Sequence, residues 1–541
     1  MVNWKNWASS SYNRTIEPYY YGIKGGSYNP SNPTDYEIER LGTSGTDYLK
    51  TSDISKASDQ TFYLDARVNY DRQFNLHHVT GMLMYMQREY RSSVLPERNQ
   101  GFSGRFTYDY GQRYLVELNF GYNGTERLAK KERFEFFPAV SLGWVISNEK
   151  FFEPMTKYID NLKIRGSYGL VGSDETGLSA GAQHFLYIDQ VSLNNIGFTT
   201  GVDMNYTLYG PLVTNYAVVN GGWERVKKLD IGIDLELFRQ LTITADYFNE
   251  KRYNILLHRE AWPESLGYYT AKPWSNKGKV DNWGIELSVN WRKEFTKDLY
   301  VDFRGNFTYT ENKYVNLDEP VYPYVWKTST GKPLSRTTGY IAQGLFSSQE
   351  EIDNSPTQNL GSTVKPGDIK YRDVNGDGKI DGSDQVMISP YGTTPRIQYG
   401  LGMNVTYKKF DFGVFFNGSA KRTIMISGIS PFGQSDYNVM QFIADDYWSE
   451  SNPNPNAKYP RLGLTSSQTA NNTVASTYWM RNGNFIRFKT LELGYKFKYG
   501  RVYLNGDNIA VFSPFKLWDP ELSWNAYPLQ RTFNIGVQLN F

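Results

Sequence analysis

Apolar and polar residues alternate one by one through much of the chain. In LDIGIDLELF the odd positions Leu229, Ile231, Ile233, Leu235 and Leu237 are aliphatic, and the even ones are Asp230, Gly232, Asp234 and Glu236. A period of two puts one set on each face of a strand. A row of carboxylates has no place in a dry core, so the second face is wet. The chain then turns through Arg239 and Gln240 into LTITADYF, with Leu241, Ile243, Ala245 and Tyr247 on the apolar side, which predicts a tight hairpin.

The same pattern recurs in GIELSVNW with LYVDFRGNFTYT, YGLGMNVTY with FDFGVFFNG, and FIRFKTLELGYKF with RVYLNGDNIAV. Upstream, TFYLDARVNYD pairs with HHVTGMLMYMQREY, GRFTYDY with YLVELNFGYNG, and AVSLGWVIS with NLKIRGSYGL. Between Phe485 and Phe497 the residues Arg487 and Lys489 fall on the otherwise apolar parity, which predicts a bulge or a change of surroundings. At the end of the chain Phe533, Ile535, Val537, Leu539 and Phe541 are apolar, while Asn534, Gly536, Gln538 and Asn540 are small or polar.

The connectors alternate. Short ones follow Arg72, Tyr110, Phe238, Trp291, Tyr407 and Tyr499, and a moderate one covers 147–160. Long ones cover roughly 172–225, 254–281, 312–395, 420–484 and 510–530, with shorter members near 91–100 and 123–133. Every long loop therefore lies at one end of the strands, the signature of an all-β, antiparallel up-and-down transmembrane barrel with short periplasmic turns and long extracellular loops. The count is about 15 strands, or about 16 if the first residues supply one. Residues 1–60 read as an N-terminal strand and outer loop, and 61–541 as the body of the barrel. The last strand is expected to close it, leaving no edge.

Composition sharpens this reading. Aromatics make up 16 % of the chain, with 43 Tyr and 13 Trp, yet the mean hydropathy of −0.56 is that of a polar protein. A barrel wall reconciles the two, because its strands are apolar on one face only. No apolar run reaches the roughly 20 residues of a transmembrane helix. The 58 Lys+Arg against 56 Asp+Glu leave a formal charge of +2, with no basic footprint for nucleic acid. Without cysteine, disulfides, thiol nucleophiles and Cys-ligated zinc are excluded.

One motif carries local chemistry. In DVNGDGKIDGSD, residues 373–384, Asp373, Asn375, Asp377 and Asp381 stand at positions 1, 3, 5 and 9 of a calcium loop; Lys379 offers a carbonyl at 7 and Gly378 turns the chain at 6. Position 12 is Asp384, shorter than the usual Glu, so affinity for calcium is expected to be modest. An Asx- and Gly-rich turn without metal is the alternative.

Catalytic patterns are absent: there is no G-x-S-x-G, H-E-x-x-H or Walker sequence. The four histidines are His77, His78, His184 and His258, and the adjacent pair points to opposite faces of a strand. Acidic neighbours such as Asp445 with Asp446 and Glu350 with Glu351 read as solvated loop charges. The loop tyrosines Tyr209, Tyr216, Tyr268, Tyr269, Tyr322 and Tyr324 offer stacking surfaces for sugars or a partner, although barrels place Tyr at membrane interfaces in any case.

Several stretches in order resemble the SusC/RagA family of TonB-dependent outer-membrane transporters of Bacteroidota: FPAVSLGWVISNEKFFEP, LKIRGSYGLVGSD, KPGDIKYRDVNGDGKIDGSDQVMI, STYWMRNGNFIRFKTLELGYKF and DPELSWNAYPLQRTFNIGVQLNF. The resemblance covers about residues 101–541. It implies a plugged barrel of about 22 strands, import of oligosaccharides or peptides across the outer membrane, and a SusD-like surface lipoprotein as lid. It also implies an N-terminal plug-bearing portion or chain that engages TonB, and an assembly role for the closing strand from Phe533 to Phe541. The plug, TonB box and first strands have no counterpart here, so the chain is expected to supply barrel wall, outer loops and closing strand, facing lipid. A self-contained porin of about 16 strands and a secreted calcium-binding, glycan-binding or adhesive β-protein are the alternatives.

Overall fold

The computed structural model describes residues 1–25, 37–51, 54–92, 96–175, 186–218, 221–263, 265, 272–426, 439–463, 465–522 and 526–540. Sixteen strands form one antiparallel sheet in strict chain order. They are β1 (Val2–Ser11), β2 (Ser55–Phe74), β3 (His77–Arg91), β4 (Glu97–Tyr110), β5 (Tyr114–Thr125), β6 (Phe134–Val145), β7 (Ile159–Ser173) and β8 (Glu224–Leu237). The second half comprises β9 (Leu241–His258), β10 (Trp274–Thr296), β11 (Leu299–Asn316), β12 (Ile397–Tyr407), β13 (Phe410–Ala420), β14 (Phe485–Phe497), β15 (Gly500–Phe512) and β16 (Thr532–Leu539). Short and long connections alternate as the pattern predicts, with two to three residues at most of the short ends. Among the described residues no ladder joins β16 to β1, and Phe541 lies outside them.

The two faces differ as their side chains demand. On one, Arg165 of β7 reaches Asp230 and Asp234 of β8, both at 3.2 Å, and Asp246 of β9 at 2.6 Å. This is the wet inner face, where the predicted carboxylate row finds a shared cation. On the other, Ile231, Ile233, Tyr247 and Ile285 follow one another across β8, β9 and β10 and are all exposed. An apolar row left uncovered by protein is the lipid face of a barrel wall. In β16 the outward set is Phe533, Ile535, Val537 and Leu539, all more than half exposed, and Gln538 lies on the inner face opposite Arg501.

The bulge expected in β14 is present. Its ladders to β13 and β15 both slip at Lys489, between Phe488 and Thr490. Beyond the slip Phe488 faces outward and stacks on Phe416 at 4.7 Å, so Arg487 turns inward. There it is 2 % exposed and bonds Asp519 at 2.6 Å and Glu521 at 3.0 Å. One extra residue thus moves a cation from the greasy parity to a buried polar site.

Beyond the strand ends, the loops after β11, β13 and β15 join in one folded body. Short ladders link Ala342–Leu345 with Ile369–Tyr371, Thr337–Gly339 with Val386–Ser389, and Thr423–Met425 with Met480–Asn482. Its core includes Tyr340, Ile369, Tyr371 and Ile380 from the first loop, Ile443, Trp448 and Trp479 from the second, and Phe515 from the third. Asp368, wholly buried, holds Arg461 through two bonds of 3.0 and 3.1 Å and accepts from Asn472 Nδ2 at 2.8 Å. Gln358 donates to Asn471 Oδ1 at 2.7 Å, and Trp479 Nε1 donates to the Asn472 carbonyl at 2.7 Å. The first and second long loops are therefore stitched by buried polar bonds as well as by packing.

Candidate functional site

The inner wall is the surface that a solute inside the barrel would meet. Between β10 and β14 it opens into a hollow of about 550 Å³. Gly400, Gly402 and Gly413 leave the space by carrying no side chain, and Asn290, Asn404 and Glu492 line it. Arg501 binds Asp411 and Glu492 at its rim. Farther round, Arg105 holds Glu117 at 2.7 Å and Arg292 holds Asp302 at 2.9 Å. Each group lies a few residues from a short turn, so paired charge rings the turn end of the inner face. Sequence pattern marked the wet parity but not which cations meet which carboxylates, because the partners sit on different strands.

The predicted calcium loop lies in the outer-loop body. Asp373 accepts the N–H of Gly376 on Oδ1 at 2.7 Å and that of Gly378 on Oδ2 at 2.8 Å. Both glycines have positive φ, 76° and 81°, which only a residue without Cβ adopts cheaply. Asn375 and Asp377 bond each other: the Asp377 N–H donates to Asn375 Oδ1 at 3.1 Å, and Asn375 Nδ2 donates to Asp377 Oδ2 at 2.9 Å. The Lys379 N–H donates to Asp377 Oδ1 at 2.9 Å. Asp381 accepts from the Ser383 N–H at 2.7 Å, which holds its carboxyl below the usual carboxylate range. Asp384 is wholly buried and accepts from the N–H groups of Val374 at 2.8 Å and Asp381 at 2.9 Å. The carboxylates thus gather backbone donors into a tight turn. Among the described residues no three His, Cys, Asp or Glu side chains converge on one point suited to a metal.

Tyr324 stands against this loop: Asn375 Nδ2 donates to its hydroxyl at 3.1 Å, and its ring stacks on Trp326 at 4.8 Å. Trp326 Nε1 in turn donates to the Ser383 carbonyl at 2.9 Å. Tyr322 and Tyr209 are exposed and Tyr216 is half-buried; Tyr268, Tyr269 and His184 lie outside the described residues. His77 meets Tyr108 and His78 meets Asp71, each at 2.8 Å, on opposite faces as expected. His258 ends β9, with Nδ1 3.2 Å from the Lys272 carbonyl and its ring 3.6 Å from the Trp274 ring.

The family model described as "TonB dependent receptor-like, beta-barrel" matches residues 3–509. TonB-dependent receptor P3 of Formosa agariphila is 25 % identical over 478 residues, 81 % of this chain and 45 % of its own. TonB-dependent receptor SusC of Bacteroides thetaiotaomicron is 27 % identical over 469 residues, covering 81 % of this chain and 43 % of its own. The chain spans about half the length of the curated relatives it matches. Among solved structures, that of the RagAB peptide transporter is similar in fold, with a TM-score of 0.67 and 18 % identity, over 100 % of this chain and 59 % of that one.

Proposed function

This chain belongs to the TonB-dependent receptor-like β-barrel family of the outer membrane, and from that premise we propose that it supplies the wall and outer loops of a SusC-like importer. The observation that carries the proposal is the sheet itself: sixteen strands in up-and-down order, apolar outside and charged inside, with every long loop at one end. The cargo is an oligosaccharide or a peptide. The fold shared with a peptide transporter supports the peptide class, and the oligosaccharide class rests on the resemblance of the sequence motifs to the SusC/RagA family. The barrel works with a plug-bearing N-terminal portion or chain that reaches TonB, and with a SusD-like lipoprotein over the outer loops.

Capture from native outer membranes through a tag in an outer loop, followed by mass spectrometry, tests this. A plug-bearing polypeptide and a surface lipoprotein are the expected companions. Sixteen strands are also enough for a porin; recovery of this chain alone, conducting ions steadily in planar bilayers, would establish that second reading. The turn at 373–384 takes a calcium ion in a structural role, a reading supported by its ligand-type spacing. Elemental analysis finding no divalent metal, with protease sensitivity unchanged in chelator and in Asp373→Ala/Asp377→Ala, would remove the ion from the proposal.

A further inference from the structure

On the outward parity of β8 to β11, the apolar rows stop at one level and lysines begin. One row of lipid-facing residues runs Ile231, Tyr247, Ile285, Tyr309, and the next toward the long loops runs Leu229, Asn249, Trp283, Glu311. The row after that is Lys227, Lys251, Asp281, Lys313, each residue directly opposite the next in an unbroken register. Lys279 stands one step higher, opposite Tyr253. Lys227 lies 5.4 Å from the Tyr253 ring and Lys421 lies 4.7 Å from the Tyr309 ring, which confirms that both side chains run over the outer face. Lys227, Lys251, Lys279 and Lys313 are exposed, and none has an ion-pair partner among the described residues. Of the nearby acids, Glu311 is taken by Arg396 at 2.7 Å, and Asp281 stands within the row, opposite both Lys251 and Lys313.

Position gives this row its meaning. Lys227 stands ten residues from Leu237 at the short-turn end of β8, and a tilted barrel strand of about 10 residues crosses the apolar band. The lysines therefore stand at the outer border of the membrane, on the side that faces lipid, beside Tyr253 and Trp283. Lys227 and Lys251 are like charges directly opposite each other, an arrangement that destabilises a ladder unless an anion lies between them. Adjacent strands are about 4.8 Å apart, so the row covers a span of about 15 Å, the width of a lipid headgroup rather than of a single ion. The lysine stems can lie along the apolar wall while their ammonium groups reach the headgroup layer.

We infer that this row, cationic even with Asp281 in it, is a binding site for a phosphorylated glycolipid of the outer leaflet, held by its phosphates at Lys227 and Lys251 and by Lys313 beyond Asp281, with its acyl chains against the Ile231–Tyr309 row. The inference rests on the barrel and its outer-membrane setting, and not on the cargo or partners proposed above.

The test uses protein purified with its native companions from the outer membrane in mild detergent, with bound lipid counted by native mass spectrometry. Attraction of each basic residue to an anionic surface makes the expected loss about fivefold per lysine, roughly a hundredfold for Lys227→Ala/Lys251→Ala/Lys313→Ala. The corresponding triple Arg variant should keep its lipid. Delipidated wild-type protein should retake outer-leaflet glycolipid from mixed micelles, but not the same glycolipid after enzymatic removal of its phosphates. If the triple Ala variant fails to assemble, Lys251→Ala alone should show the fivefold loss. Equal lipid in wild type and the Ala variants, equal uptake of the dephosphorylated form, or loss of a polypeptide instead of a lipid would overturn the assignment.

Discussion

In the wall Ile231, Ile233, Ile285 and Ile535 stand 45–80 % exposed to whatever surrounds the protein, while in the outer-loop body Ile369, Ile380, Ile426 and Ile443 are 0 % exposed. The residue type is the same; the solvent differs. The wall has lipid for its apolar side and needs no protein core, so its coherence comes from the backbone ladders that pair each strand with the next. The loop body stands in water and is built like a small soluble domain, with buried aromatics and an ion pair whose carboxylate is buried. The charges are inverted too. Arg165 and its three carboxylates line a wet interior, whereas Asp368 is closed off inside the loop body with the part-buried Arg461 over it. The two regions should therefore fail separately and for different reasons.

The most severe way to break the comparison is to remove the cation that the bulge turns inward. Arg487→Ala leaves Asp519 and Glu521 without their cation, while Phe488 keeps its outward stack on Phe416. The cost is about 3–5 kcal/mol for the acids left alone. Folded barrel in the outer membrane, scored by heat-modifiable migration, should fall steeply. Lys489→Ala, at the bulge itself, takes no partner from these acids among the described residues and should be near neutral; equal behaviour of the two variants would show that the inward turn of Arg487 does not matter.

Next in size, and also on the wall, Ile535→Lys places a charge on the lipid face and should cost up to about 2–4 kcal/mol if it sits near the middle of the membrane. Gln538→Lys, on the inner face, should leave membrane levels close to normal. Comparable loss from both would mean that β16 does not present Ile535 to lipid. After it comes Asp368→Ala, which takes an acceptor from the part-buried Arg461 and from buried Asn472 Nδ2 at a cost of about 1–3 kcal/mol. Limited proteolysis should cut within 317–396 or 421–484 while the wall strands stay intact. Unfolding of both regions together would show that wall and loop body are one cooperative unit.

Much of the wall was legible in the sequence because its rule is local. A period of two assigns each residue to a face, and the alternation of loop lengths assigns each turn to an end. Even the bulge showed itself, since Arg487 and Lys489 broke a parity that the lipid face enforces. The outer-loop body followed no such rule. Asp368 and Arg461 are 93 residues apart, and nothing near either one marks it as half of an ion pair. The 373–384 turn was visible as a motif, but its side chains proved to hold backbone amides, and spacing alone does not choose between that and an ion. The lysine row was hidden for another reason: Lys227, Lys251 and Lys313 become neighbours only once the register of four strands is fixed.

The gentlest probe of the comparison is acid. In the loop body, burial raises the carboxyl pKa of Glu319, but the N–H groups of Ser329 at 2.8 Å and Thr330 at 2.9 Å outweigh it and hold the value below normal. Glu351 is lowered by the Ser347 N–H, and Asp381 by the Ser383 N–H. A carboxylate with a lowered folded pKa adds stability that is fully present above its unfolded value, about 4.3 for Glu and 3.9 for Asp. That contribution is lost as pH falls through the folded value. Protection against hydrogen exchange over residues 317–396, taken relative to the intrinsic rate at each pH, should therefore fall progressively below about pH 4.3, with β8 to β11 still protected, and recover on return to neutral pH. Glu319→Gln should flatten part of that response, since its amide does not titrate. Acid-induced exchange that begins in the wall strands, or that is the same in Glu319→Gln as in the wild type, would locate the sensitive groups elsewhere.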